Sequence, residues 1–244
     1  MPELPEVQTI TNDLRRMVVG STIERFWTDW PKIIKRPELS AFKKEIKGLK
    51  ILDIERRGKN ILFHLSKNKI LLAHQKMTGH LMVGKWEVSS AGVKSVVRGP
   101  LNDRVNQFIH AIFFLRGGRM IGFSDMRKFG RLALGEREEI LSMPDISTLG
   151  IDALSPDLDS KTLKKILGGR KKAIKATIMD PKAIAGIGNI YADDILWDAM
   201  IHPSRSSNKI SEQETRRLLK SIKKILTKGL KLRGASVGDY RDAS

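Results

Sequence analysis

Apolar residues near the start of the chain recur every three to four positions, at Val7, Ile10, Leu14 and Met17 or Val18. Gly20 ends the pattern. This spacing predicts an amphipathic helix over residues 7–18. Such a helix would hold the first residues of the chain in a fixed place.

The pattern then changes to short runs rich in β-branched and aromatic residues. The candidate strands are 23–27, 51–57, 60–65, 70–74, 79–83, 108–115 and 119–124. Glycine-rich turns separate these runs. Many short strands of this kind predict an antiparallel β-sandwich or a flattened barrel. The polar stretch 87–105 has weak periodicity and predicts a loop.

The last third of the chain is predicted to be helical. Segments begin at Ser160, Lys172 and the glycine-rich turn 186–189, and Ser211-Glu-Gln-Glu214 is a capping box before a long basic helix. The outer face of that basic helix is either a binding surface or simply solvated. We therefore predict an α+β protein with a sandwich domain (1–143), a linker (144–156) and a helical domain (157–244).

Charge narrows the classes of partner. The 244 residues include 45 Lys and Arg against 27 Asp and Glu, a net charge of +18. Such a surplus favours a polyanion, because neutralised phosphates release their counterions. Ribosomal RNA and anionic lipid remain alternatives at this point. No run approaches the roughly 20 apolar residues that span a bilayer, and no signal peptide is visible, so we expect a cytoplasmic protein.

Cysteine is absent from the sequence, which excludes disulfides, thiol nucleophiles and cysteine-ligated zinc. The five histidines show no spacing typical of metal ligands. We predict no metal and no other cofactor.

The first six residues, Met1-Pro2-Glu3-Leu4-Pro5-Glu6, carry candidate chemistry. A small second residue permits removal of Met1, which would leave Pro2 as a secondary-amine N-terminus. An α-amino group has a reference pKa of roughly 8, so part of it is a nucleophile near neutral pH. It could attack a sugar C1, while Glu3 and Glu6 move protons or stabilise positive charge. The alternative is an unstructured terminus.

Two further stretches place polar residues at turns. Arg56-Arg57-Gly58-Lys59 lies between two predicted strands, where Lys59 could approach a phosphate or remain solvated. In Ser124-Asp-Met-Arg-Lys-Phe-Gly130, Arg127 and Phe129 would project the same way from an extended loop. Arginine reads base edges and phenylalanine can wedge between bases, although Phe129 could equally lie in the core.

The most specific stretch runs from Asp180 to Asp194 and puts the turn Gly186-Ile-Gly188-Asn189 before a helix. Free backbone N–H groups at such a helix start bind phosphate oxygens, and Asn189 adds a side-chain donor. Basic residues precede it, among them Arg170 and Lys175. We expect a phosphate-binding turn here.

Taken in order, these motifs resemble those of bacterial formamidopyrimidine-DNA glycosylases of the Fpg/Nei family. The markers are MPELPEV at the start, RRGK at 56–59, HQKMTGHL at 74–81, SDMRKFG at 124–130 and GIGNIYADDILWDAMIHP at 186–203. The resemblance covers nearly the whole chain. The Leu4-Pro5 pair favours the Fpg branch, because Nei proteins usually have glycine before that proline.

The resemblance implies a helix–two-turn–helix motif and a monomeric base-excision-repair enzyme acting on damaged double-stranded DNA. It implies excision of oxidised purines, 8-oxoguanine and formamidopyrimidines, followed by β- and δ-elimination. Pro2 would form a Schiff base at C1′, Glu3 would act as acid and base, Glu6 would support the site, and Lys59 would contact phosphate and assist. A catalytically weak relative that only binds damaged or abasic DNA is the alternative.

The resemblance also assigns DNA contacts. Met77, Arg127 and Phe129 match residues that fill the void left by a flipped base, with Arg127 facing the orphaned cytosine. Arg170, Lys175 and Asn189 fall where the family grips the DNA backbone.

The sequence departs from the family in two places. The family's usual C-terminal zinc finger is missing from the sequence. Either the protein is a member without zinc or the sequence is truncated. Loss of the finger would weaken δ-elimination and binding to the minor groove. The last residues, 233–244, resemble the lesion-covering loop. The family's His-x-His pattern reads Phe108-Ile109-His110, which predicts the loss of one phosphate contact.

Overall fold

The computed structural model describes residues 2–90, 92–97 and 99–234, and these form the predicted α+β fold. Its strands are β1 (Ile23–Thr28), β2 (Ile34–Arg36), β3 (Ile51–Arg57), β4 (Asn60–Leu65), β5 (Lys69–His74), β6 (His80–Gly84), β7 (Trp86–Ser89), β8 (Gly92–Ser95), β9 (Ile109–Leu115), β10 (Met120–Ser124), β11 (Arg131–Glu136), β12 (Ile151–Asp152) and β13 (Ile184–Ala185). Its helices are α1 (Leu4–Val18), α2 (Leu39–Ile46), α3 (Arg137–Leu141), α4 (Pro144–Ser147), α5 (Ser160–Gly168), α6 (Ile174–Ile178), α7 (Asn189–Asp198) and α8 (Glu212–Lys231).

The N-terminal half is a sandwich of two sheets. One has the strand order β1-β9-β10-β6 and the other β2-β11-β5-β4-β3. All neighbouring pairs in them are antiparallel except β2 and β11, which run parallel. Apolar side chains of both sheets and of α1 form one continuous core, so the predicted sandwich is confirmed.

Helix α1 begins three residues earlier than its apolar spacing indicated, at Leu4. The reason is a capping box: the Glu3 side chain accepts from the backbone at Glu6, and the Glu6 side chain accepts from the N–H of Glu3. Pro5 is tolerated because helix N–H groups in the first turn have no helical partner. The first turn of α1 therefore carries both candidate glutamates.

The prediction of a loop over 87–105 was wrong in part, because β7 and β8 pair as a hairpin. The residues are mostly polar, so the alternation that marks a strand is weak. Trp86 is buried, and Val88 and Val93 pack against a small apolar cluster on the outer face of the four-stranded sheet. Burial of this single face holds the hairpin.

The helical domain has its own core, formed by α5 to α8 together with Leu4 from α1. The capping box that begins α8 is confirmed: Ser211 and Glu214 each accept from the other's backbone N–H. The stretch predicted as linker contains α4 and β12, and β12 pairs with β13. Leu4 in this core means that the start of α1 belongs to both halves of the molecule.

None of the helices within the described ranges combines the length and the apolar character needed to cross a membrane.

Candidate active site

The buried carboxylate of Glu3 lies at the N-terminus of α7. Its Oε2 accepts from the Gly188 N–H at 2.7 Å, and its Oε1 accepts from the Ile190 N–H at 2.9 Å. A longer contact of 3.4 Å reaches the Tyr191 N–H. Gly188 is required here, because a Cβ at that position would lie 2.3 Å from Cδ of Glu3.

This arrangement corrects the prediction that the glycine-rich turn offers free N–H groups to a phosphate. A helix N-terminus attracts any anion through its unpaired N–H groups and its dipole. In this chain the anion is the protein's own Glu3. Asn189 remains exposed at the same turn, with its side chain available to a ligand.

Glu6 connects the same two segments. Its Oε2 accepts from the backbone N–H of Glu3 at 2.8 Å, and its Oε1 accepts from the hydroxyl of Tyr191 at 2.8 Å. The half-buried Pro2 directly precedes this network. Met1 and the predicted removal of Met1 lie outside the described residues.

Lys59 occupies the turn between β3 and β4, after Gly58, whose φ of 59° favours glycine. Burial lowers the pKa of Lys59, and the negative charges of Glu3 and Glu6 oppose that effect. Burial likewise raises the pKa of Glu3, opposed by the N–H groups of α7 and by the charge of Lys59. The structure thus brings Pro2, Glu3, Glu6 and Lys59 into one partly desolvated site.

Arg56, in the same motif as Lys59, has a structural role that the sequence did not reveal. Its side chain is 6% exposed and makes a bidentate ion pair with Asp152 at 2.6 and 2.9 Å. It also donates to the Gly58 carbonyl at 2.9 Å. Arg56 therefore fixes the Lys59 turn and ties β3 to β12.

Sequence reasoning also missed the cationic surroundings of His74, at the end of β5. Burial, reinforced by the charges of Lys76, Lys59 and Arg131, lowers the pKa of His74 to about 3. Its Nδ1 accepts from the Lys76 N–H at 3.0 Å. A neutral imidazole surrounded by three cations is a suitable place for an anion. The HQKM motif was the available signal, although only its methionine was assigned a role.

Met77, Arg127 and Phe129 lie together and form what we call the wedge cluster. An Arg127 guanidinium nitrogen is 3.2 Å from Sδ of Met77, and its Cζ lies 4.6 Å from the centre of the Phe129 ring. Met77 is 44% exposed and Phe129 48% exposed, so the alternative of Phe129 in the core is wrong. Such exposed apolar residues are suited to enter a base stack.

Asp125, which is fully buried, supports the wedge cluster. Its carboxylate accepts from the N–H groups of Arg127 (3.2 Å), Phe129 (2.8 Å) and Gly130 (2.7 Å), and from the Thr78 hydroxyl. Asp125 thereby joins the two loops that carry the cluster. The motif contains this residue, but local sequence gave no sign of its four donors.

The residues assigned to grip the DNA backbone are partly engaged within the protein. Lys175 pairs with Asp193 of α7 at 2.7 Å, and Arg170 donates to the Ile166 carbonyl at 2.9 Å. Asn189 is exposed. His110, the residue left from the family's histidine pair, interacts with Asp29 at 2.9 Å.

Comparisons with known proteins show the family of the chain. The profile of the formamidopyrimidine-DNA glycosylase N-terminal domain matches residues 1–132, and that of the formamidopyrimidine-DNA glycosylase H2TH domain matches residues 149–241. The formamidopyrimidine-DNA glycosylase of Moorella thermoacetica is 37% identical over 244 residues, covering 100% of this chain and 84% of the relative. That of Carboxydothermus hydrogenoformans is 38% identical over 243 residues, covering 100% of this chain and 82% of the relative.

Solved structures of Lactococcus lactis Fpg bound to DNA are also similar. The complex with DNA containing an abasic site aligns with a TM-score of 0.83 at 28% identity, covering 96% of this chain and 80% of that one. The complex of a mutant with DNA containing Fapy-dG aligns with a TM-score of 0.85 at 30% identity, covering 100% and 83%.

Proposed function

The chain belongs to the formamidopyrimidine-DNA glycosylase family, and we propose that it is a bifunctional DNA glycosylase and AP lyase whose nucleophile is the amine of mature Pro2. The observation that supports this most strongly is the site formed by Pro2, Glu3, Glu6 and Lys59. It puts an amine, two carboxylates and a lysine of lowered pKa in one desolvated place.

In the proposed reaction the Pro2 nitrogen bonds to C1′ as the bond from C1′ to the damaged base breaks, and the N–H proton of the amine passes to the departing base. Glu3, whose pKa is raised by burial, then donates a proton to O4′ as the C1′–O4′ bond opens to an iminium. The resulting carboxylate, still held by the N–H groups of Gly188 and Ile190, can accept a proton in a later step. Loss of a C2′ proton and cleavage of the C3′–O bond give β-elimination.

DNA recognition in this proposal uses three surfaces. The wedge cluster fills the void left by the flipped nucleotide, with Arg127 at the orphaned base. Lys59 and the cations around His74 receive a phosphate close to the reacting sugar. Asn189, Arg170 and Lys175 contact the backbone on the helical side, and Lys175 must exchange its partner Asp193 for a phosphate.

The substrates proposed are oxidised purines, 8-oxoguanine and formamidopyrimidines, in double-stranded DNA. The name of the relatives and the Fapy-dG complex of the Lactococcus lactis protein support this class. Residues 235–244, which make up most of the stretch resembling the lesion-covering loop, lie outside the described ranges. We expect a monomer that acts in the cytoplasm, where bacterial DNA lies.

Zinc, which the family's C-terminal finger implies, does not fit the residues present. The chain has no cysteine, and no cluster of three or more His, Asp or Glu in the described ranges could hold a metal. No step proposed here involves a metal.

The decisive experiment is borohydride trapping on duplex DNA that carries 8-oxoguanine opposite cytosine. We expect a covalent protein–DNA adduct that is lost in Pro2→Gly and when Met1 is retained. Pro156→Gly, at an exposed proline, should trap like the wild type. Absence of any adduct on both 8-oxoguanine and abasic duplexes would refute the enzyme and leave a damage-binding relative.

A further inference from the structure

We propose that Tyr191 is a positioning residue for the reactive N-terminus and acts through Glu6. The inference rests on the function proposed above, because it concerns how Pro2 is presented to C1′. Tyr191 belongs to α7 and is buried in the core of the helical domain, whereas Glu6 belongs to α1. The Tyr191 hydroxyl donates to Oε1 of Glu6 at 2.8 Å.

Three rigid groups connect Tyr191 to Pro2. The phenol ring holds one oxygen of the Glu6 carboxylate, and the other oxygen accepts from the Glu3 N–H at 2.8 Å. That N–H belongs to the planar peptide bond that joins Pro2 to Glu3. A displacement of the Tyr191 hydroxyl therefore rotates the carboxylate and, through it, the peptide next to the amine.

The space for this hydroxyl is provided by a glycine in a third element. A Cβ at Gly229, inside α8, would lie 2.7 Å from Oη of Tyr191 and 3.0 Å from Cγ of Pro5. Glycine inside a helix is unfavourable relative to alanine, because the unfolded chain loses more conformational freedom there. The glycine lets the hydroxyl reach Glu6 between α8 and α1.

Electrostatics keep the Tyr191 hydroxyl protonated, so that it can donate a hydrogen bond. Burial and the negative charges of Glu6 and Glu3 raise the pKa of the Tyr191 phenol, so its hydroxyl keeps its proton throughout the working range. The hydroxyl consequently donates to the Glu6 carboxylate in every state of the reaction that leaves Glu6 ionised.

The start of α7 also links this network to DNA binding. Gly188 and Ile190 donate to Glu3, Tyr191 donates to Glu6, and Asn189 is exposed toward the proposed DNA backbone. One helical turn thus holds both glutamates on its inner side and a DNA contact on its outer side. The position of the amine depends on where the helical domain holds α7.

The competing explanation is that Tyr191 serves only as core packing. Tyr191→Phe separates the two, because it keeps the ring and removes only the hydroxyl. Gly229→Ala displaces the same hydroxyl, because the new Cβ would lie 2.7 Å from it. Thr11→Val is the control, since it removes another buried hydroxyl of the α1 region, one that donates to the Val7 carbonyl at 2.7 Å.

The assay is single-turnover borohydride trapping on an abasic duplex with saturating full-length protein, beside the Kd for a duplex with a tetrahydrofuran abasic analogue. A hydrogen bond to a charged group is worth about 1.5–3 kcal/mol, which corresponds to roughly a 10- to 100-fold lower trapping rate in Tyr191→Phe. Gly229→Ala should show a similar loss. Kd should change less than about twofold in each variant, and Thr11→Val should match the wild type.

A second measurement tests the route through Glu6. In a Glu6→Ala background, which leaves the hydroxyl no carboxylate to hold, Tyr191→Phe should lower the remaining rate by less than about twofold, because residues that act as one unit are not additive. Three results would overturn the inference. They are the full loss of trapping rate on adding Tyr191→Phe in that background, a wild-type trapping rate in Tyr191→Phe alone, and a loss of DNA affinity as large as the loss of trapping rate. A wild-type protein that forms no adduct would instead refute the proposed function.

Discussion

Replacing Asp125 with asparagine should destabilise the protein and loosen the wedge cluster. The amide nitrogen would take the Oδ1 site, where the Thr78 hydroxyl can turn to accept, and the Arg127 N–H would keep only its 3.2 Å bond to the Thr78 hydroxyl oxygen. At the Oδ2 site, the N–H groups of Phe129 (2.8 Å) and Gly130 (2.7 Å) would still have an acceptor, but that acceptor would be neutral.

The size of the effect follows from these contacts. A hydrogen bond to a charged group contributes about 1 kcal/mol more than a neutral one, and a lost neutral bond costs about 1 kcal/mol. The two weakened bonds at Oδ2 and the partly compensated loss at Oδ1 give about 2–3 kcal/mol of lost unfolding free energy.

Urea unfolding of Asp125→Asn, with Asp157→Asn at an exposed site as the control, measures this loss directly. We also expect weaker binding to a lesion duplex, because the backbone at Phe129 is no longer fixed. A change in unfolding free energy below about 0.5 kcal/mol would contradict the view that Asp125 supports the two loops.

Three further changes test other parts of the site. Gly188→Ala should lower the trapping rate about 100-fold while costing only about 1–3 kcal/mol of stability, because the new Cβ displaces Glu3; wild-type trapping would show that Glu3 can move freely. The pKa of His74 is about 3 in the folded protein and 6.5 in the unfolded chain, so the unfolded state gains a proton first as pH falls. His74 should therefore contribute a loss of about 2 kcal/mol between pH 7.5 and 5.0, so His74→Gln should lose about 2 kcal/mol less than the wild type, with exposed His202→Gln as control; equal slopes in urea titrations would refute this. Arg56→Ala should cost about 3 kcal/mol in unfolding free energy by breaking its buried ion pair with β12, and an unchanged urea midpoint would argue against that interdomain link.

Local signals predicted much of the fold. The apolar spacing after Val7 gave α1, and the Ser211 capping box gave α8, because both depend on residues within one or two turns. The start of α1 at Leu4 was missed, since Glu3 and Glu6 look like exposed acids until their partners are known. Burial of the weak β7–β8 hairpin likewise depends on a sheet that the hairpin sequence does not contain.

The sequence indicated which residues form the candidate site, but not the hydrogen bonds that connect them. Motifs identified Pro2, Glu3 and Lys59, whereas the contact of Glu3 with Gly188 joins residues 185 positions apart. That long-range contact reversed the expected role of the glycine-rich turn from binding phosphate to binding Glu3. Tyr191 and Asp125 were hidden for the same reason, because their donors and acceptors come from other segments.

The most direct test of the central claim is to locate the covalent bond. Borohydride-trapped protein would be digested and the peptide that carries the DNA remnant identified by mass spectrometry. The proposed mechanism predicts attachment to the nitrogen of Pro2 in a peptide that lacks Met1. Attachment to Lys59, or a trapped peptide that still begins with Met1, would contradict it.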